Sequence, residues 1–251
     1  MTAITTSQRG SISDSPPKPK SSSKRGSASS ATPAANYAST LTPQQLESIS
    51  DAEVFDQDGK KYTWGELTGG KRVVVVFIRH FWCINCKEYL RLLAAQIPPS
   101  SLPEGTSLIA IGCGQYKPLK TYIPTLTPNS ASPYPYPVYA HPSLALHKGL
   151  GFMTSLDRSK AGEEKAYEAA LGGIVKRTFA AIKEVHIGEA GQTGPLAQNG
   201  GEVVMEADGS CSFLHRMKHT VDHTELDTLA AQIGARHIPG QSMSDAMVCP
   251  A

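Results

Sequence analysis

From Leu41 onward the spacing of hydrophobic residues changes several times, and each spacing predicts an element. Thr42, Pro43 and Gln45 form a capping box for a short helix whose inward residues are Leu46 and Ile49. "AEVFDQDGKKYTW" predicts two short strands around an Asp58–Gly59 turn. Val73 to Ile78 is an unbroken apolar, β-branched run, the pattern of a strand buried on both faces. The period then changes to helical: Cys86, Leu90, Leu93 and Ile97 make one apolar stripe that Pro98–Pro99 stops. Thr106 to Gly114 predicts a second buried strand, followed by a helix from near Tyr116 that Pro124 disturbs. A short strand follows at Val138–Tyr139, and its prolines place it at an edge or at a strand start. "SLALHKGLG" predicts a short helix ended by Gly149.

Between Glu164 and Val185, residues Tyr167, Leu171, Ile174, Val175, Phe179 and Ile182 keep helical spacing, which predicts a core helix or lid. Gly172–Gly173 weakens its centre by about 1 kcal/mol per glycine against alanine. Glu202 to Met205 and Cys211 to His215 predict a hairpin around Asp208–Gly209. A last helix is expected to start at a Thr224 cap, bury Leu226, Leu229, Ala230 and Ile233, and end at Gly234. Strand–helix alternation closed by a hairpin and a helix is the order of an α/β, thioredoxin-like three-layer sandwich with a mixed central sheet.

Composition adds boundaries. The first forty of the 251 residues hold eleven serines, several prolines and one late aromatic, Tyr37. Such a segment buries too little to offset its ordering entropy, so residues 1–40 are expected to be a disordered Ser/Pro/Lys-rich tail. The domain is expected over 41–236, with 237–251 as a frayed C-terminal tail. The first forty residues carry five cations against Asp14, a net +4; the chain is +2, which leaves −2 for residues 41–251. The expected domain therefore has no electrostatic basis for binding nucleic acid. No apolar run is long enough for a membrane span, and no apolar segment near the start suggests a secretory signal. The basic, serine-rich start fits a transit peptide in composition but lacks its amphipathic period.

The five cysteines, Cys83, Cys86, Cys113, Cys211 and Cys249, are an odd number and do not form a disulfide framework. A cytoplasmic protein with reduced thiols fits better. There Cys83-x-x-Cys86 is a redox pair, half of a zinc site, or two structural residues. A zinc site needs two more ligands, and the other cysteines stand singly. Placement between strand and helix favours thiol chemistry. Cys83 falls at the first helical turn, where free amides and the helix dipole stabilise a thiolate. A thiol that ordinarily ionises near 8.5 falls to about 3.5–7.5 in such settings. Arg79 and His80 add positive charge, while Cys86 lies one turn inward on the apolar stripe. No glycine-rich phosphate loop follows a strand, so no nucleotide, flavin or metal cofactor is expected. Arg216 is read as a surface residue, Asp222–His223 as a capping and surface pair, and Cys113 as a space-filling residue.

"FIRHFWCINCKEYLRLLA" and "NGGEVVMEADGSCSFLHRMKHTVDH" resemble the peroxiredoxin-like 2 group of the AhpC/TSA antioxidant proteins. The resemblance covers roughly Leu46 to Ala235. It implies a thioredoxin-like fold and a hydroperoxide reductase in which Cys83 is oxidised to a sulfenic acid and Cys86 condenses with it to a disulfide. A thioredoxin or glutathione system would then restore the dithiol. His80 stands where such proteins place a threonine three residues before the nucleophile, and no proline lies between Val73 and Trp82. Gly200–Gly201 stands where thioredoxins set a cis-proline, and glycine there permits close approach to the thiols or a substrate. A protein disulfide reductase, an organic endoperoxide reductase and a non-catalytic interaction module are the alternatives.

Overall fold

β3 (Arg72–Ile78) organises the domain, because Val73 through Ile78 are all fully buried. Period-two alternation sends its side chains into two separate cores. Val74, Val76 and Ile78 enter one, and Val73, Val75 and Phe77 enter the other. The computed structural model describes residues 41–128, 132–160, 165, 167, 187–189 and 191–240. The serine-rich segment 1–40, nearly all of the helix expected over 164–185, and residues 241–251 lie outside them.

The other strands are β1 (Glu53–Phe55), β2 (Lys61–Thr63), β4 (Thr106–Gly112), β5 (Val138–Ala140), β6 (Gly201–Met205) and β7 (Cys211–Arg216). They form one mixed sheet in the order β2-β1-β5-β4-β3-β6-β7. β3, β4 and β5 run parallel, while β6 pairs antiparallel with β3 and with β7. On one face pack α3 (Ile84–Gln96), α4 (Leu119–Thr125) and α6 (Leu226–Ile233). On the other lie α2 (Trp64–Thr68) and α5 (Ala145–Gly149), beside the cap of α1 (Pro43–Ser48). Helices on both faces of a mixed sheet make the expected thioredoxin-like sandwich.

The α3 stripe behaves as its spacing predicts: Cys86, Leu90, Leu93 and Ile97 are all fully buried. Burial of one such leucine contributes about 1.5–3 kcal/mol, and Leu90→Ala would remove that and leave a cavity. The Thr42–Gln45 capping box forms as expected. Ile49, at the end of α1, is buried, whereas Leu46 is only half-buried.

Two expectations need correction, and a third resolves between its alternatives. The β2 pattern stops before Trp64, because Thr63 and Glu66 form a second capping box that starts α2. Of the two positions that its prolines allow, β5 takes the strand start and not the edge, and it sits between β1 and β4. Pro137 precedes it, so no missing N–H falls within the ladder. The glycine pair serves the sheet rather than the thiols: a Cβ on Gly200 would stand 1.8 Å from the Phe77 carbonyl oxygen.

In the second core, His147 is buried against Phe77 and Phe152, and neither ring nitrogen has a hydrogen-bond partner among the described residues. Burial, helped by nearby His141, pushes its pKa down to about 3. An unfolded histidine takes up its proton near 6.5. Below that pH the unfolded chain binds a proton that the fold refuses, so stability present at neutral pH is lost as pH falls toward 3. Denaturant titrations from about pH 7 to about pH 4 should show this loss, and His147→Leu should flatten it. Gly200→Ala should cost roughly 3 kcal/mol or more in the same assay, because the clash is with backbone.

Candidate active site

The segment from Arg79 to Cys83 joins the end of β3 to the start of α3. Phe81 N–H donates to the Thr193 carbonyl (3.1 Å) and Cys83 N–H to the His80 carbonyl (3.0 Å), which folds the segment into a tight turn. Cys83 becomes the N-cap of α3, and its sulfur accepts the Cys86 amide at 3.4 Å. A thiolate here occupies the place of a capping carboxylate, facing free first-turn amides. Cys83 is only 4% exposed and Cys86 is fully buried.

Arg79 reaches both sulfurs. Its amide lies 3.5 Å from the Cys86 sulfur, and its Nη1 lies 3.6 Å from the Cys83 sulfur. Nε donates to Asn199 Oδ1 (3.1 Å) and Nη2 to the Leu196 carbonyl (2.5 Å). The residue is 5% exposed, yet among the described residues none of its partners is a carboxylate. A buried guanidinium needs a counter-charge. The Cys83 sulfur is the group in contact with it that can ionise to provide one.

The two thiols are accordingly driven apart. A hydrogen bond from the Cys86 thiol holds the Cys83 pKa well below the ordinary thiol range; burial opposes this, and His80, Arg79 and the Cys86 amide assist. Burial drives Cys86 well above that range, with the hydrogen bond to Cys83 and the neighbouring negative charge adding to the effect. The permanent cation is Arg79. Burial lowers the pKa of His80, so His80 contributes only while it holds a proton.

The remaining candidates separate. Cys113 is buried and donates to the Arg79 carbonyl, and burial pushes its pKa up to about 12, so it braces the arginine as a neutral thiol. Arg216 donates to the Leu150 carbonyl (2.6 Å) and packs at Gly151, away from the sulfurs. Cys249 lies outside the described residues, and Cys211 bonds within β7.

The reading of Asp222–His223 as a capping and surface pair is wrong. Asp222 bonds to the Lys218 amide and Lys165, whereas His223 is fully buried. His223 Nδ1 meets Glu202 Oε1 at 2.5 Å, and Nε2 lies 3.4 Å from the Cys86 sulfur. The ring stacks on Tyr89, with centroids 4.3 Å apart. Thr224 does not cap α6. Its amide (3.1 Å) and hydroxyl (2.7 Å) both donate to Glu202 Oε2, and Glu225 takes the cap position.

Local sequence pattern does not mark Glu202 as a site residue, although its position carries a signal. It is an acid inside β6, where every residue is buried. It pairs with Val76 of β3 and therefore shares that residue's face, toward α3. Burial works against its charge, but His223, His215 and Thr224 outweigh that and lower its pKa, so it stands as a carboxylate.

Residues 92–219, just over half of the chain, match the family model described as AhpC/TSA antioxidant enzyme. The match begins after both Cys83 and Cys86. The chain is 27% identical to peroxiredoxin-like 2C of Bos taurus over 199 residues, 76% of this chain and 80% of the relative. It is 26% identical to the chloroplastic thioredoxin-like protein AAED1 of Arabidopsis thaliana, over 44% of this chain and 42% of the relative. Among solved structures, a cysteine-to-serine mutant of the peroxiredoxin 6 of Arenicola marina aligns with TM-score 0.48 and 13% identity, over 74% of this chain and 70% of that one.

Arg79→Met should raise the Cys83 pKa by roughly one unit or more, equivalent to about 1.4 kcal/mol. The ultraviolet absorbance of the thiolate, followed against pH, measures this directly. Arg79→Lys, which keeps the charge but loses the planar fork, should fall between wild type and Arg79→Met.

Proposed function

This chain belongs to the AhpC/TSA antioxidant enzyme family, whose chemistry is thiol redox catalysis, and we propose that it reduces hydroperoxides through Cys83 and Cys86. The observation that carries this reading is the buried Arg79 guanidinium, whose ionisable contact is the Cys83 sulfur. The Cys83 thiolate attacks the distal peroxide oxygen. The O–O bond breaks, the alkoxide leaves and takes a proton from solvent, and Cys83 becomes a sulfenic acid. The Cys86 sulfur then attacks Cys83. An S–S bond forms, the S–O bond breaks, and hydroxide leaves to become water. A dithiol or glutathione system returns both sulfurs to the reduced form.

Burial of both sulfurs, with Cys83 only 4% exposed, supports a small molecule over a folded protein as the oxidant. A small pocket of about 20 Å³, lined in part by Phe81, Trp82, Lys87 and Tyr122, lies beside the turn. Within the proposal, residues 41–236 form the catalytic domain, 1–40 and 237–251 are tails, and the setting is the cytoplasm, where such a dithiol is kept reduced. Among the described residues no helix is long and apolar enough to cross a membrane.

One equivalent of peroxide, followed by alkylation and mass spectrometry, should remove two free thiols, mapped to Cys83 and Cys86. Cys83→Ser should leave every thiol reduced. Cys86→Ser should hold Cys83 as a sulfenic acid that a cyclic diketone traps. Unchanged wild-type thiols, or faster turnover of an insulin-type disulfide than of peroxide, would sink the peroxidase reading.

A further inference from the structure

Cys86 poses a problem for any disulfide chemistry. It must attack as a thiolate, yet it is fully buried and its pKa is raised. At neutral pH such a thiol holds its proton. It therefore needs a proton acceptor within reach, and the Cys86 thiol has a single proton.

Two acceptors face that proton. One is the Cys83 sulfur, which takes it in the resting dithiol. The other is His223 Nε2 at 3.4 Å. The Glu202 carboxylate can only accept, so His223 Nδ1 donates to it, and the Nε2 side of the ring is the one that faces the sulfur. Stacking on Tyr89 fixes the plane of the ring, and two donors from Thr224 fix the carboxylate.

We propose that His223 is the catalytic base that takes the proton of Cys86 when the disulfide closes and the acid that returns it when the disulfide is reduced. Glu202 is the positioning residue that sets the tautomer and stabilises the imidazolium. This rests on the reading that Cys83 and Cys86 form a disulfide. While Cys83 is a thiolate, the Cys86 proton stabilises it. Once Cys83 is oxidised its negative charge is gone, and the proton turns to Nε2. The Cys86 sulfur then bonds to Cys83, the group on Cys83 leaves with the electron pair of its bond, and the imidazolium sits against a buried carboxylate. Reduction runs the same transfer backwards: an external thiolate attacks Cys83, and the departing Cys86 thiolate recovers the proton from His223.

The neighbouring titratable groups do not compete. From α3, α4 and the short stretch at Tyr167, burial raises the pKa values of Tyr89, Tyr122 and Tyr167, so each faces the site as a neutral phenol. From the turn that follows β3, Arg79 is a permanent cation directed at Cys83. From β7, His215 acts on Glu202 rather than on the sulfur.

A coloured aryl disulfide, dithiobis-nitrobenzoate, separates the steps without peroxide. Cys83 releases the first coloured thiolate, and Cys86 releases the second by displacing it from Cys83. In His223→Gln the ratio of the second rate to the first should fall at least roughly tenfold at neutral pH. The deficit should close as pH rises and hydroxide ionises Cys86 unaided. Glu202→Gln should give a smaller fall in the same ratio. An unchanged ratio, or a deficit equal at every pH, overturns the proposal. Should the variants not fold, wild type still decides: the ¹⁵N resonance of His223 Nε2 should differ between dithiol and disulfide forms, and an unmoved resonance overturns the assignment. Inertness toward peroxide with normal release of both thiolates would defeat the peroxidase reading and leave this one standing.

Discussion

The structure turns on a positive charge without a carboxylate. Arg79 leaves the end of the most buried strand and places its guanidinium among a carbonyl, an amide oxygen and a sulfur. Two of those three acceptors can never carry charge. The fold therefore favours an anion at Cys83, and the N-terminal amides of α3 point the same way. Cys113 and Asn199 hold the arginine from its own backbone and from its guanidinium.

The two thiols stand three positions apart, yet their environments oppose each other. Cys83 caps a helix, where donors are free. Cys86 lies one turn deeper, in the apolar layer between α3 and the sheet. The same layer holds a fully buried glutamate, admitted because every oxygen of its carboxylate is occupied by His223 or Thr224. A polar group in that position is costly unless satisfied, and here its hydrogen-bond partners among the described residues come from the short stretch just before α6. The closing helix thus does more than cover the sheet, because its approach places the imidazole against the inner sulfur.

Much of this was legible along the chain. The strand, the cysteine pair at its end and the stripe of α3 are contiguous, so period-two and period-3.6 patterns report them without reference to the rest of the fold. The final hairpin was readable from Asp208–Gly209. The short α2 was hidden because five residues are too few to show a period. The prolines around β5 allow an edge or a strand start, and the chain says nothing of which strands will flank it.

The sequence by itself determined that a reactive sulfur would stand at the start of a helix behind a buried strand, since both features depend on neighbours within a few residues. Only the tertiary structure decided what surrounds that sulfur's partner. His223 and Glu202 are 21 residues apart and lie far from Cys86 along the chain, and they meet because β6 pairs with β3 and turns its acid toward α3. Adjacent residues such as Asp222 and His223 can point in opposite directions, so adjacency misleads where cross-strand geometry governs. A local pattern can specify a helix cap, but charge compensation in a core is settled by whichever strands and helices pack against it.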